Sequence, residues 1–184
     1  MDTPKNSYIA LLRGINVGGN NSIKMTELKA CFEKMGFSDV VTYIQSGNVL
    51  FKTNLQPQEK LTLSIEAALS KTFNLKIRVV TVTEKQLRQT IKDAPSGFGT
   101  KPDLYRYDVI FLKKPLTPKE ALKSFSVKEG VDQVYQGKDV IYFSRLTEKA
   151  SQSRLTRIIG LPVYQDMTIS NWNKTTKLEA LLAK

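Results

Sequence analysis

The sequence contains no histidine and a single cysteine, Cys31. Ser-His-Asp and Cys-His catalysis are therefore excluded. So are zinc sites built on His or Cys, haem held by His, and iron–sulfur clusters. No disulfide can close within the chain. No apolar run approaches the roughly 18 residues of a membrane span, and no apolar segment follows the short polar start at residues 1–7, as a secretory signal requires. There is no block of like charge either, the longest basic run being Lys113-Lys114. Carboxylates such as Glu27, Asp39, Asp103, Asp108 and Asp166 are scattered, and no pair sits at ligand spacing on one expected face, so neither a metal nor another cofactor is implied. The expectation is a cytoplasmic protein with no membrane contact. Its chemistry is limited to carboxylates, Lys, Arg, Tyr, amides, hydroxyls and backbone N–H groups.

What is present is ordinary in bulk and basic in charge. The 184 residues are 41% hydrophobic and 24% charged, with a formal net charge of +11. This length suits one large domain or two small ones and buries enough surface to need no staple. The basic excess is spread over both halves of the chain. It attracts polyanions in general but marks no groove, and solubility alone accounts for it equally well.

Residues 7–13 form a short apolar run that stops at Gly14 and reads as a buried strand. A Gly/Asn-rich loop follows to residue 22. Met25, Leu28, Cys31, Phe32 and Met35 then recur at helical spacing, with Gly36 where a left-handed C-cap belongs. In this pattern Cys31 is a small buried hydrophobe rather than a reactive thiol. Residues 40–45 and 48–52 read as a hairpin around Ser46-Gly47. Pro57 opens a helix whose stripe is Leu61, Ile65, Ala68 or Leu69, and Phe73, and residues 76–82 are a Val/Ile-rich strand. Thr83 and Gln86 form a capping box, Pro95 ends that helix, and residues 96–103 are turn-rich. A strand at 107–112 follows. Next come a helix from the Thr117–Glu120 capping box, a hairpin around Gly137-Lys138, a short helix at 153–159, a weak strand at 162–168 and a final helix containing Trp172 and Leu178. The order is β-α-β-β-α-β twice. The expected class is α+β, with two tandem ferredoxin-like (βαββαβ) units and a C-terminal helix. The units are residues 1–83 and 104–184, joined by a helix and linker at 84–103.

That topology has one geometric consequence. In a split βαβ unit, strands 1 and 2 are parallel and strand 3 returns between them. The loop after strand 1 and the turn between strands 2 and 3 therefore share an end. Arg13, Gly14, Asn16, Gly18 and Gly19 are thereby brought beside Gln45, Ser46 and Asn48. Successive N–H groups of a Gly-rich loop entering a helix can form an anion nest. Arg13 adds a forked cationic donor, and Gln45, Ser46 and Asn48 add neutral polar groups. The loop is neither a P-loop nor G-x-G-x-x-G, and its glycines serve a tight turn equally well. At the other end of the chain, Asn171, Trp172 and Lys177 form a second candidate, with the indole available to stack on a base and lysines near a phosphate. Core anchoring of the last helix is the competing role for Trp172. Tyr105 and Tyr107 beside Arg106 resemble a base-stacking strip, although an alternating edge strand has the same pattern.

Three stretches carry a family resemblance: Tyr-Ile-Ala-Leu-Leu-Arg-Gly-Ile-Asn-Val-Gly-Gly at 8–19, Met25-x-x-Leu28, and Thr-Tyr-Ile-Gln-Ser-Gly-Asn-Val-Leu-Phe at 42–51. They resemble a bacterial family, the domain-of-unknown-function family numbered 1697. Asn-Trp-x-x-x-x-Lys-Leu at 171–178 resembles its closing motif, which usually has Arg where this chain has Ser170. The resemblance implies a two-part α+β architecture and no particular activity.

Two functional classes fit, and a third is structural. The first is a module binding a phosphate-bearing ligand, a nucleotide or nucleic acid, at the Gly-rich loop. The second is a hydrolase of a small acyl or phosphoryl compound. Acylphosphatases share the split unit with a loop-plus-Arg cradle and an Asn near the strand 2–3 turn, to which Arg13 and Asn48 are similar in kind. The third is a protein-interaction scaffold whose Gly loop is only a turn. The sequence leaves open whether the protein turns over a substrate and whether it oligomerises.

Overall fold

The unbroken apolar run between Ser7 and Arg13 becomes the strand β1 (Asn6–Arg13), and its residues 8–12 are all buried. In this computed structural model the described residues are 5–183 apart from 17, 20, 45 and 46. They fall into two compact units, one ending at Lys85 and the other spanning Gln86–Ala183.

In the first unit β1 is followed by α1 (Met25–Lys34), β2 (Ser38–Tyr43), β3 (Asn48–Thr53), α2 (Gln58–Phe73) and β4 (Arg78–Thr83). The sheet order is β2-β3-β1-β4 and every neighbouring pair is antiparallel. Alternate residues of β1, Tyr8, Ala10 and Leu12, point to one face of the sheet. There they join Val49 and Phe51 of β3, Leu28 and Phe32 of α1, and Leu61, Ile65 and Leu69 of α2 in one core. Phe37 stacks on Phe51 at 4.7 Å and Phe32 meets Phe51 edge-on at 5.3 Å, which adds directional contact to area burial. Gly36 (φ +84°) closes α1 in the left-handed region, as its position after the apolar stripe predicts. Cys31 is buried and contacts the Thr72 hydroxyl at 3.5 Å. Pro57 is the N-cap of α2, whose first helical residue is Gln58, one position later than expected.

In the second unit α3 (Glu84–Lys92) leads into β5 (Tyr105–Leu112), α4 (Pro118–Leu122), β6 (Asp132–Gln136), β7 (Val140–Leu146), β8 (Met167–Asn171) and α5 (Trp172–Leu182). The antiparallel order is β6-β7-β5-β8. One face carries Ile110, Leu112, Ile141, Phe143 and Met167, packed with Ala121, Leu155 and Ile158. The segment from Gln86 in α3 through residue 103 belongs to this unit, where the Tyr142 hydroxyl donates to the Thr90 carbonyl at 2.6 Å.

The second unit corrects several expectations. No α-helix connects β7 to β8. Three short 3-10 segments do so instead, at Thr147–Gln152, Leu155–Gly160 and Pro162–Asp166. Two apolar anchors, Leu155 and Ile158, satisfy the core at i,i+3 spacing, which a 3-10 turn presents as well as an α-helix does. The closing strand lies at Met167–Asn171 rather than 162–168, because Pro162 starts the last 3-10 segment. The β6–β7 hairpin also turns one residue later than expected. The Gly137 N–H donates to the Val140 carbonyl at 2.8 Å, so Lys138 and Asp139 are the loop. Gly137 is required there by close approach: a Cβ would meet Tyr142 and the Val140 oxygen at 2.8 Å. Finally, β5 is no edge strand, since it is paired with β7 on one side and β8 on the other.

Candidate functional site

The loop after β1 is held by its own amides. The Asn16 side chain donates to the Ile23 carbonyl at 3.0 Å and accepts the Ile23 N–H at 2.7 Å. The Asn16 N–H donates to the Asn21 carbonyl, and the Asn21 amide donates to the Gly14 carbonyl at 2.9 Å. Asn16 and Asn21 both sit at φ 52°, a conformation that Asn tolerates better than most residues. Ile15, 1% exposed, fastens the loop to the core. Gly18 and Gly19 have positive φ and are exposed, with open space where a Cβ would stand.

The predicted meeting of loop and hairpin is present at Gly47. Its carbonyl accepts the Leu12 N–H at 2.8 Å, and a Cβ there would lie 2.7 Å from Ile15 Cδ1. Gln45 and Ser46, the other expected hairpin members, lie outside the described residues. Asn48 is 3% exposed and its amide donates to the Tyr43 carbonyl at 3.1 Å, which fastens the hairpin. Arg13 ends β1 directly opposite Arg78 of β4, which places two arginines at the strand end from which the loop departs. The helix α1 begins after this loop with Lys24 as N-cap and no side-chain cap among the described residues. Among the described residues, its first N–H groups therefore meet no side-chain capping acceptor.

The C-terminal candidates belong to the other unit. Asn171 is the N-cap of α5, its Oδ1 accepting the Lys174 N–H at 2.8 Å. Trp172 is half-buried and meets Phe98 edge-on at 5.1 Å, lying so close over Gly99 that a Cβ there would collide with its indole Nε1. Both residues thus have packing and capping duties, and Lys177 is exposed. Ser170, where the resemblance implied an Arg, is 1% exposed and accepts a hydrogen bond from Thr175 at 3.1 Å. That small buried niche suits a hydroxyl and not a guanidinium.

Sequence reasoning missed two features of the second unit. The first is a buried charge cluster. Asp108 is 8% exposed, with Arg145 Nη2 at 3.7 Å and no hydrogen-bond partner for its Oδ2 among the described residues. Burial pushes its carboxyl up, against the opposing pull of Arg145, Lys174 and Arg106. Burial likewise pushes the Lys174 ammonium down, opposed by Asp108. Asp132 is satisfied on one oxygen by the N–H groups of Lys128 and Arg154. The second feature is an aromatic-lined cleft of about 220 Å³ to which Tyr105 and Tyr107 contribute. The i,i+2 spacing of the two tyrosines was visible, but not the central position of β5. Among the described residues no group of three or more His, Cys, Asp or Glu could hold a metal, and no helix is long and apolar enough to cross a membrane.

Comparison with known proteins adds a family and a fold. The family described as "Protein of unknown function (DUF1697)" matches residues 5–142. No curated protein matches the chain. Among solved structures, the conserved bacterial protein SP0830 from Streptococcus pneumoniae superposes with a TM-score of 0.85 at 23% identity, over 98% of this chain and 100% of that one. At that identity the likeness concerns the fold alone.

Proposed function

Since the chain belongs to the DUF1697 family, described only as being of unknown function, we propose a function from its geometry: it binds a phosphate-bearing ligand, a nucleotide or nucleic acid, at the loop following β1. The observation that carries this reading is the pairing of Arg13 with Arg78 across β1 and β4 at the strand end from which the loop departs. The exposed Gly18-Gly19 backbone and the α1 N-terminus, which has no side-chain cap among the described residues, support it, because both can offer N–H groups to an anion. The net charge of +11 favours encounter with such ligands. Hydrolysis is the weaker reading. Asn48, the residue that would orient a water or an acyl oxygen, donates its amide to Tyr43 within the hairpin.

The same proposal includes the architecture and the setting. We read the two sheet orders as tandem ferredoxin-like units, the second with its second crossover reduced to 3-10 turns. Cytoplasmic placement agrees with the lone buried cysteine.

Thermal shift at fixed low salt tests the site, with inorganic phosphate, nucleoside monophosphates and short single strands on wild type and Arg13→Ala. A ligand at about 100 times its Kd stabilises the native state by about 2.7 kcal/mol. The expected result is a shift in wild type that disappears in the variant and shrinks between about 50 and 200 mM salt. Equal shifts in the two proteins, or none in either, would overturn the reading.

A further inference from the structure

The face of β5 that carries Tyr105 and Tyr107 is lined with chemistry that the loop in the first unit does not use. Residues two apart on a strand share a face, and these two rings lie 6.0 Å apart, tilted by 42°. Phe98 walls the same cleft and meets Tyr107 edge-on at 4.9 Å. Across the sheet, Tyr107 stands opposite Ser144 of β7, and Ser144 opposite Gln133 of β6. Tyr135, 39% exposed on the edge strand, completes the row of rings.

The polar groups are arranged unequally. The Tyr135 hydroxyl donates to Gln133 Oε1 at 3.1 Å, and the Ser144 hydroxyl to the same oxygen at 3.4 Å. Both donors hold the oxygen end of that amide. Its Nε2 end has no partner among the described residues and remains a donor at the cleft. Lys101, also lining the cleft, adds a cation. The space of about 220 Å³ is below the range of drug-sized sites and matches a single ring system. Aromatic walls accept a planar ring through its π-face, while an amide N–H and an ammonium favour an edge rich in lone pairs.

We infer that this cleft in the second unit is a binding site for one nucleobase, supplied either by a free nucleoside or nucleotide or by an unpaired base of a single strand. The site needs no phosphate, so it stands apart from the reading of the loop after β1.

The test is a calorimetric or equilibrium-dialysis titration of the full chain with the four ribonucleosides, which carry no phosphate, and in parallel with short single-stranded homopolymers. Wild type is compared with Tyr135→Ala, Gln133→Ala and Arg13→Ala, each first shown to retain the wild-type circular dichroism spectrum. Tyr135 and Gln133 are exposed on the edge strand, so both truncations spare the core. The expected result is nucleoside binding weakened about 5- to 150-fold by Tyr135→Ala. Gln133→Ala should narrow the preference among bases, and Arg13→Ala should leave nucleoside affinity unchanged. Homopolymers that bind no tighter than nucleosides indicate a free-ligand site. Tighter, salt-sensitive homopolymer binding with the same Tyr135 dependence indicates a strand. Both support the inference. Absence of nucleoside binding at millimolar concentration, or binding indifferent to Tyr135→Ala and Gln133→Ala, overturns it. Neither of those results bears on phosphate binding at Arg13.

Discussion

Replacing Gly47 by Ala measures how tightly the β2–β3 turn is pressed against the loop that follows β1. Two costs are superimposed at that position. The backbone sits at φ +85°, where a Cβ costs about 1–2 kcal/mol. The added carbon would also stand 2.7 Å from Ile15 Cδ1 and 2.9 Å from Leu12 Cβ. Leu12 Cβ is attached to a central strand and cannot swing away, so the strain of overpacking adds about 1–3 kcal/mol. The expected destabilisation is about 2–5 kcal/mol. Gly14 supplies the control, with a similar φ of +84° but nothing within 4 Å of its ideal Cβ. Gly14→Ala should therefore cost only the conformational part, about 1–2 kcal/mol. Urea unfolding followed by far-ultraviolet circular dichroism reads both variants, provided the slope stays at the wild-type value. Ile15→Val removes the nearest clashing carbon, so the double variant should recover about 1 kcal/mol relative to the sum of the single changes. A Gly47→Ala midpoint no lower than that of Gly14→Ala would refute the close approach on which the candidate site's geometry depends.

Two further expectations concern the second unit. Tyr142→Phe removes the hydroxyl that donates to Thr90 at 2.6 Å, for a loss of about 1–3 kcal/mol in denaturant unfolding. Burial raises the Tyr142 phenol to about 12, above the unfolded value near 10. Its contribution is thus fully present below about pH 10 and lost as the pH rises through about 12, and identical alkaline unfolding profiles for wild type and Tyr142→Phe would contradict this. Asp108 carries a raised carboxyl, so its contribution is complete below the usual carboxylate value near 4 and declines as the pH rises through its folded pKa. Arg145→Met should consequently cost about 3 kcal/mol near pH 7, less near pH 4, and much of the loss should return with Asp108→Asn. Additive, pH-independent losses in thermal melts of the three variants would refute the coupling.

The first unit was legible because each of its elements agrees with its neighbours. The apolar run before Gly14, the spacing from Met25 to Met35 and the β-rich stretches around Gly47 each specify one structure locally, and the antiparallel sheet joins them without conflict. The second unit was less so. Leu155 and Ile158 have the spacing of a helix turn, but too few residues follow before Pro162 to make an α-helix worth nucleating. The approach of the β2–β3 turn to the loop after β1 was legible in the sequence, and the bonding within each was not. Topology alone brought Ile15 beside Gly47, whereas nothing in the sequence shows that Asn16 holds Ile23 or that Asn48 holds Tyr43. The cleft at Tyr105 and Tyr107 depended on β5 being central, which pairing with a remote β8 decides.

The packing of Trp172 over Gly99 and against Phe98 has an experimental consequence. It is the sole tryptophan of the chain, and all three residues belong to the second unit. Tryptophan emission is therefore a built-in optical tag for Gln86–Ala183, whereas backbone ellipticity averages over both units. Laid over each other, the two signals become a gauge of cooperativity. Coincident curves mean the halves melt as one body, and separated curves assign each step to its half without any added label.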